Sequence, residues 1–178
     1  MLRLSSTSAL CALALMAAPA AAQEPNWYSE QNRTWWNGVT QAELQELVAE
    51  AGGTWTDLPD IEAIRYSRID WPDLPGVAVR EGSCPAPTTE PERPMPERNC
   101  GAMVLSVVVG QPADLEAWWI GSDGWLAFGR VDGAPALYRI EHSAFGTTRG
   151  HVLSTLMLFR HRAVEEIDRI AAADDSGW

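Results

Sequence analysis

The chain has 178 residues, enough for one domain with a sizeable core, and its 13 basic residues, all arginine, face 24 acidic ones. A net charge of −11 without a single lysine argues against nucleic acid and anionic membrane surfaces as partners, because both attract clustered positive charge.

Arg3 precedes a run of small and apolar residues through Leu10, Leu13, Leu15 and Met16, followed by Pro19 and Ala20-Ala21-Ala22. That layout predicts a secretory signal peptide over residues 1–22. The apolar run falls short of the roughly 20 residues a bilayer-spanning helix needs, so no membrane insertion is expected after cleavage. Cys11 lies inside the run, and Leu10 before it is not the small residue that precedes a lipid-anchoring cysteine. Removing 22 of the 178 residues leaves 156, with 12 arginines against 24 acids and a net charge of −12. The expected product is soluble and periplasmic or secreted. An acidic, lysine-free surface serves solubility first and attraction of a basic partner second.

Residues 23–38 form an aromatic N-terminal segment with Trp27, Tyr28, Trp35 and Trp36. Its rings either dock on the domain, over a sheet edge or helix flank, or offer a stacking surface for sugar or peptide. A single domain is expected over 39–170. Thr40-Gln41-Ala42-Glu43 is a capping box that starts a helix with Leu44, Leu47, Val48 and Ala51 on one face, stopped by Gly52-Gly53. Ala63 to Ile69 and Val77 to Arg80 read as short strands around the turn Trp71-Pro72-Asp73-Leu74-Pro75-Gly76.

Cys84 and Cys100 are the cysteines left after leader removal, and in an exported chain they read as one disulfide closing a loop of about 15 residues. Their spacing is far from Cys-x-x-Cys, and no histidine is near in sequence. The five prolines between them exclude ladder pairing. Met103 to Val109 is apolar on both faces, as a central strand requires, so the disulfide would clasp two adjacent strands at the base of a long hairpin. Pro112 to Ile120 predicts a short second helix with Leu115, Trp118 and Trp119 on its buried flank. Asp132-Gly133 predicts a tight hairpin between Trp125–Val131 and Ala136–His142. Apolar residues at Val152, Leu153, Leu156, Phe159, Ala163, Val164, Ile167 and Ile170 then mark one face of the longest helix. Residues 171–178 are an acidic tail.

The elements add up to an α+β fold: a five-stranded, largely antiparallel sheet packed with helices in the order α-β-β-β-α-β-β-α. This order, with Gly52, Cys84, Cys100, Leu115, Trp118, Asp132, Gly133 and Phe159 in matching places, resembles the YbjN family of bacterial sensory-transduction regulators. The resemblance covers roughly Thr40 to Ile170. It implies a fold like the type III secretion chaperones and a non-enzymatic binding or regulatory module that handles other polypeptides. Two features depart from the family pattern: asparagines are missing around Trp118, and Ala144-Phe145-Gly146 replaces a glycine pair.

No cofactor is implied and no catalytic set stands out. His151 and His161 are ten residues apart, which puts them about 80° apart around a helix, so they do not converge on a metal. Glu165, one turn beyond His161, is placed to pair with it. Ser143 and Ser154 lie near His142 and His151 but outside any Gly-x-Ser-x-Gly elbow. The alternative to a binding module is a small exported hydrolase with a site around His142 or His151. Asp57, Asp60, Glu62, Asp70 and Asp73 read as a solvated acidic edge unless two of them face each other in a cleft. The candidate protein-binding residues are Trp118, Trp119, Trp125, Trp35 and Trp36, with another protein or a second copy of the chain as partner. Strand alternation puts Trp125, Ala127 and Gly129 on one face and Leu126, Phe128 and Arg130 on the other. One sheet face packs on helices; the other is covered by the N-terminal segment or by a partner.

Overall fold

The computed structural model describes residues 25–36, 38–61, 64–82, 101–110, 125–131, 133–142 and 146–175. In chain order the elements are α1 (Glu30–Arg33), β1 (Trp35–Trp36), α2 (Gln41–Glu50), β2 (Thr54–Asp57), β3 (Arg65–Asp70), β4 (Val77–Gly82), β5 (Ala102–Val108), β6 (Ala127–Val131), β7 (Ala134–His142), β8 (Thr147–Thr148) and α3 (Arg149–Asp175). Six strands pair antiparallel in the order β2-β3-β4-β5-β7-β6, and β1 pairs with β8 in a separate two-stranded ribbon.

The α+β class and antiparallel sheet are as expected, but the sheet has six strands and the element order differs. The extra strand is β2, which follows the glycine stop of α2 and pairs with β3 from Thr54↔Asp70 to Asp57↔Ser67. Its four residues, Thr-Trp-Thr-Asp, are too few to show a period, so only the partner strand reveals it. The second helix expected over 112–120 lies outside the described residues, as do the leader, Cys84, Cys100, Trp118 and Trp119.

Alternation sorts the sheet into two faces. The inner face carries Ile69, Val77, Val79, Met103, Leu105, Val107 and Leu137, all buried against Leu44, Leu47 and Val48 of α2 and Val152, Leu153, Leu156, Phe159 and Ala163 of α3. α2 has its capping box: the Thr40 hydroxyl accepts from the Glu43 amide at 3.1 Å, and the Glu43 carboxylate accepts from the Thr40 amide at 2.8 Å. Gly52 ends the helix at φ +76°. The turn after β3 proves to be core: Trp71 and Leu74 are both 2 % exposed. Trp71 Nε1 donates to the Ala51 carbonyl at 3.2 Å, and a Cβ at Gly53 would lie 2.8 Å from that nitrogen, so glycine is what lets the indole close the end of α2.

The N-terminal segment docks on the start of α3. Arg149, 5 % exposed, donates to Asn32 Oδ1 at 2.7 Å and to the carboxylate of Glu50, while its amide donates to the Thr34 carbonyl. Burial alone would pull the Arg149 proton off more readily, but the hydrogen bond and field of Glu50, with help from Glu46, outweigh it and hold the guanidinium above its ordinary range. Two close approaches complete the fit. A Cβ on Gly150 would lie 2.8 Å from the Asn32 carbonyl oxygen, and one on Gly146, at φ +95°, would fall inside the Trp35 indole.

Replacing Asn32 with alanine leaves the buried Arg149 short of one acceptor, so stability should fall by about 1–3 kcal/mol in urea unfolding. Amide exchange at Trp35 and Trp36 should quicken more than in β4 and β5.

Candidate functional site

The outer face of the sheet is the first candidate, since the described helices lie on the inner one. Across it run the rungs Tyr66–Arg80–Val104–Ile140 and Arg68–Ala78–Ser106–Tyr138–Ala127. Small residues fill the middle, where Ser106 and Ala136 are buried. Around them stand taller side chains. Arg80 lies 5.3 Å from the Tyr66 ring centre and donates to its hydroxyl at 3.0 Å, while the Tyr138 ring lies against the bare Cα of Gly129. Val108 and Ile140 expose 65 % and 46 % of their surface. In a chain with 24 acids, the one acid among the described strand residues of this face is Asp70, and it is paired with Arg68 at 2.8 Å.

The second candidate is a charged rung on the inner face at the opposite end of the sheet from Trp71. Register places Arg65, Glu81, Met103 and Glu141 side by side across β3, β4, β5 and β7. Glu81 is 2 % exposed, and Arg65 reaches it only at 3.5 Å. Burial therefore pushes its carboxyl above the ordinary range despite the Arg65 charge. Glu141 has Arg139 at 3.6 Å and bonds His151 Nε2 at 2.8 Å through its other oxygen. Glu81 and Glu141 both line a cavity of about 10 Å³ with Met103, Leu44 and Val152.

A third feature is a cleft of about 240 Å³ beside the end of α2, lined by Pro25, Asp73, Met157, Arg160 and His161 among others. Its guanidinium is already committed. Arg160 grips Asp73 through Nε at 2.7 Å and Nη2 at 3.0 Å, and Nη1 donates to the Ala51 carbonyl at 3.3 Å. The grip holds the Asp73 carboxyl below its usual range. Asp57 likewise accepts from Trp55 Nε1, so the expected solvated acidic edge is partly structural.

The expected site residues that are described do not gather in one place. Trp36 and Trp125 pack against the core and Trp35 is 62 % exposed. Trp125 precedes β6, so strand alternation does not reach it. It turns to the inner side, where the Arg139 guanidinium lies 4.8 Å from its ring centre, and it does not share the outer face with Ala127 and Gly129. Nor do the described residues of the N-terminal segment cover the outer face; Trp35 and Trp36 pair with Thr148 and Thr147 beside α3. His142 is on the outer face opposite Ala102, and His161 pairs with Glu165 at 3.3 Å. The Ser154 hydroxyl donates to the His151 carbonyl and not to its ring, and Ser143 is outside the described residues. Among the described residues no three His, Cys, Asp or Glu side chains group as a metal site, and no helix is long and apolar enough to cross a membrane. Sequence reading missed the charged rung, because Arg65, Glu81 and Glu141 become neighbours only through strand register.

Comparison with known proteins finds no matching family model, no matching curated protein and no matching solved structure.

Asp73 contributes stability that is fully present above the unfolded value of 3.8 and is lost as pH falls through its lower folded value. Arg160→Met should remove that acid-limb loss in denaturation series between pH 5 and 2. The effect should stay near 0.5–1 kcal/mol because the pair is half exposed to solvent.

Proposed function

We propose that this protein is an exported, non-enzymatic module that binds another polypeptide through the outer face of its sheet. The observation that carries this reading is the contrast between that face and the rest of the chain. Val108 and Ile140 stand exposed beside Tyr138 and the Tyr66–Arg80 pair, on a surface with one acid among its described strand residues. Such a face suits a partner with apolar side chains and no large positive charge, and it is where a second copy of an acidic chain meets least repulsion. The resemblance to the YbjN family, and through it to secretion chaperones, points to the same class of role.

Export is supported by the leader-like composition of residues 1–22 and by the cysteines. Cys84 and Cys100 lie outside the described residues, and the disulfide rests on their being the two cysteines left once residues 1–22 are removed. Thiol alkylation of the native exported protein, followed by mass measurement with and without reductant, should find one disulfide; two free thiols would contradict it.

The hydrolase reading draws on one observation, the bond between His151 and Glu141. It lacks a nucleophile on the imidazole among the described residues.

The binding reading is tested with Val108→Glu and Ile140→Glu together, both at exposed positions. The double variant should fold normally by circular dichroism and lose self-association in light scattering, or lose the partner cross-linked to the wild type. Unchanged association, or a wild-type chain that is monomeric and cross-links to nothing, sinks the proposal.

A further inference from the structure

The charged rung has a property that polypeptide binding does not use. Glu81 Oε2 and Glu141 Oε2 are both buried without a hydrogen-bond partner within the chain. Their arginine partners, at 3.5 and 3.6 Å, give charge compensation without a well-formed hydrogen bond. Both glutamates line the same small cavity, whose volume of about 10 Å³ is close to the minimum that holds one water. Unpaired buried carboxylate oxygens are costly, and two of them beside a water-sized space have a common remedy.

We propose that Glu81 and Glu141 form a carboxylate pair bridged by one internal water, and that the pair takes up a single proton from solvent as the pH falls. The proton adds to one carboxylate, which changes from an acceptor into a donor toward the water; the water then donates to the other carboxylate, so both oxygens are satisfied. Glu141 is the solvent-side member, 13 % exposed and bonded to the half-exposed ring of His151 in the first turn of α3.

Charged groups face the pair from several elements. Arg65 of β3 and Arg139 of β7 oppose protonation, while Asp57 of β2 and Asp60 after it favour it. Around the cavity β5 offers Ala102 and Met103, α2 offers Leu44 with Val39 before it, and α3 offers Val152, none of which titrates, while His151 of α3 faces Glu141 and, when it carries a charge, opposes protonation. Burial decides the balance at Glu81 in favour of the proton. Through the bond of Glu141 to His151 the pair touches the first turn of α3, the helix whose Arg149 holds the N-terminal segment. This inference is independent of what the outer face binds.

Carboxyl titration by NMR on the mature chain with ¹³C-labelled glutamate tests it. Glu81 should titrate above the ordinary glutamate range, and Glu141→Gln should lower its proton affinity by about tenfold. A Glu81 curve in the ordinary range, or one that Glu141→Gln leaves unmoved, overturns the pair. Stability gives a second reading. The folded Glu81 binds its proton more tightly than the unfolded chain, whose reference value is 4.5, so its contribution is full below that value and lost as pH rises through the folded one. Wild type should therefore lose stability relative to Glu81→Gln as pH rises above 4.5; a constant difference contradicts the proposal. In a crystal structure that resolves solvent, one water should lie within hydrogen-bond distance of both Oε2 atoms, and a dry cavity overturns the bridge.

Discussion

Everything in this molecule is referred to one long helix lying on one face of an antiparallel sheet. α3 places Leu153, Leu156, Phe159 and Ala163, none of them measurably exposed, against the inner residues of the strands. Burying four such side chains is worth several kcal/mol by area alone, and it also fixes where both ends of the helix lie. Near its start, Arg149 reaches α1 and α2; at its middle, Arg160 reaches the end of α2 and the β3–β4 turn. The two arginines act as polar pins on either side of an apolar stripe.

Charge is distributed with the same economy. The chain is strongly acidic, yet several of its acids serve as acceptors for arginine: Glu50 for Arg149, Asp73 for Arg160, Asp70 for Arg68. Arginine suits this role because its fork engages a carboxylate and a carbonyl at once, as Arg160 does, which an ammonium cannot do with fixed geometry. Among the described strand residues of the outer face, Asp70 is the one acid. The inner charged rung is an exception to good pairing, since Glu81 and Glu141 each keep a buried Oε2 without a hydrogen-bond partner within the chain.

Tryptophan has three separate uses here. Trp71 is a core residue that also caps α2. Trp36 and Trp125 lie at the edge of the core, and Trp35 lies over Gly146 with most of its surface in solvent. Aromatic density near a strand therefore did not by itself mark an interface. Burial of the ring and the company it keeps decide the matter, and Trp125 kept company with Arg139 because it stands just outside the strand period.

Local signals were sufficient for the capping box at Thr40, the glycine stop at Gly52, the turn at Gly133 and the buried stripe of α3, because each depends on residues within a few positions of one another. Hydrophobic period was enough for the antiparallel α+β class. Tertiary structure alone decided that Thr54–Asp57 is a strand, that residues 25–36 latch onto α3, and that Arg65, Glu81 and Glu141 share a rung. Each of these rests on pairing between residues distant in sequence. Strand register and the close approaches at Gly146 and Gly150 leave no periodic trace in the chain that makes them.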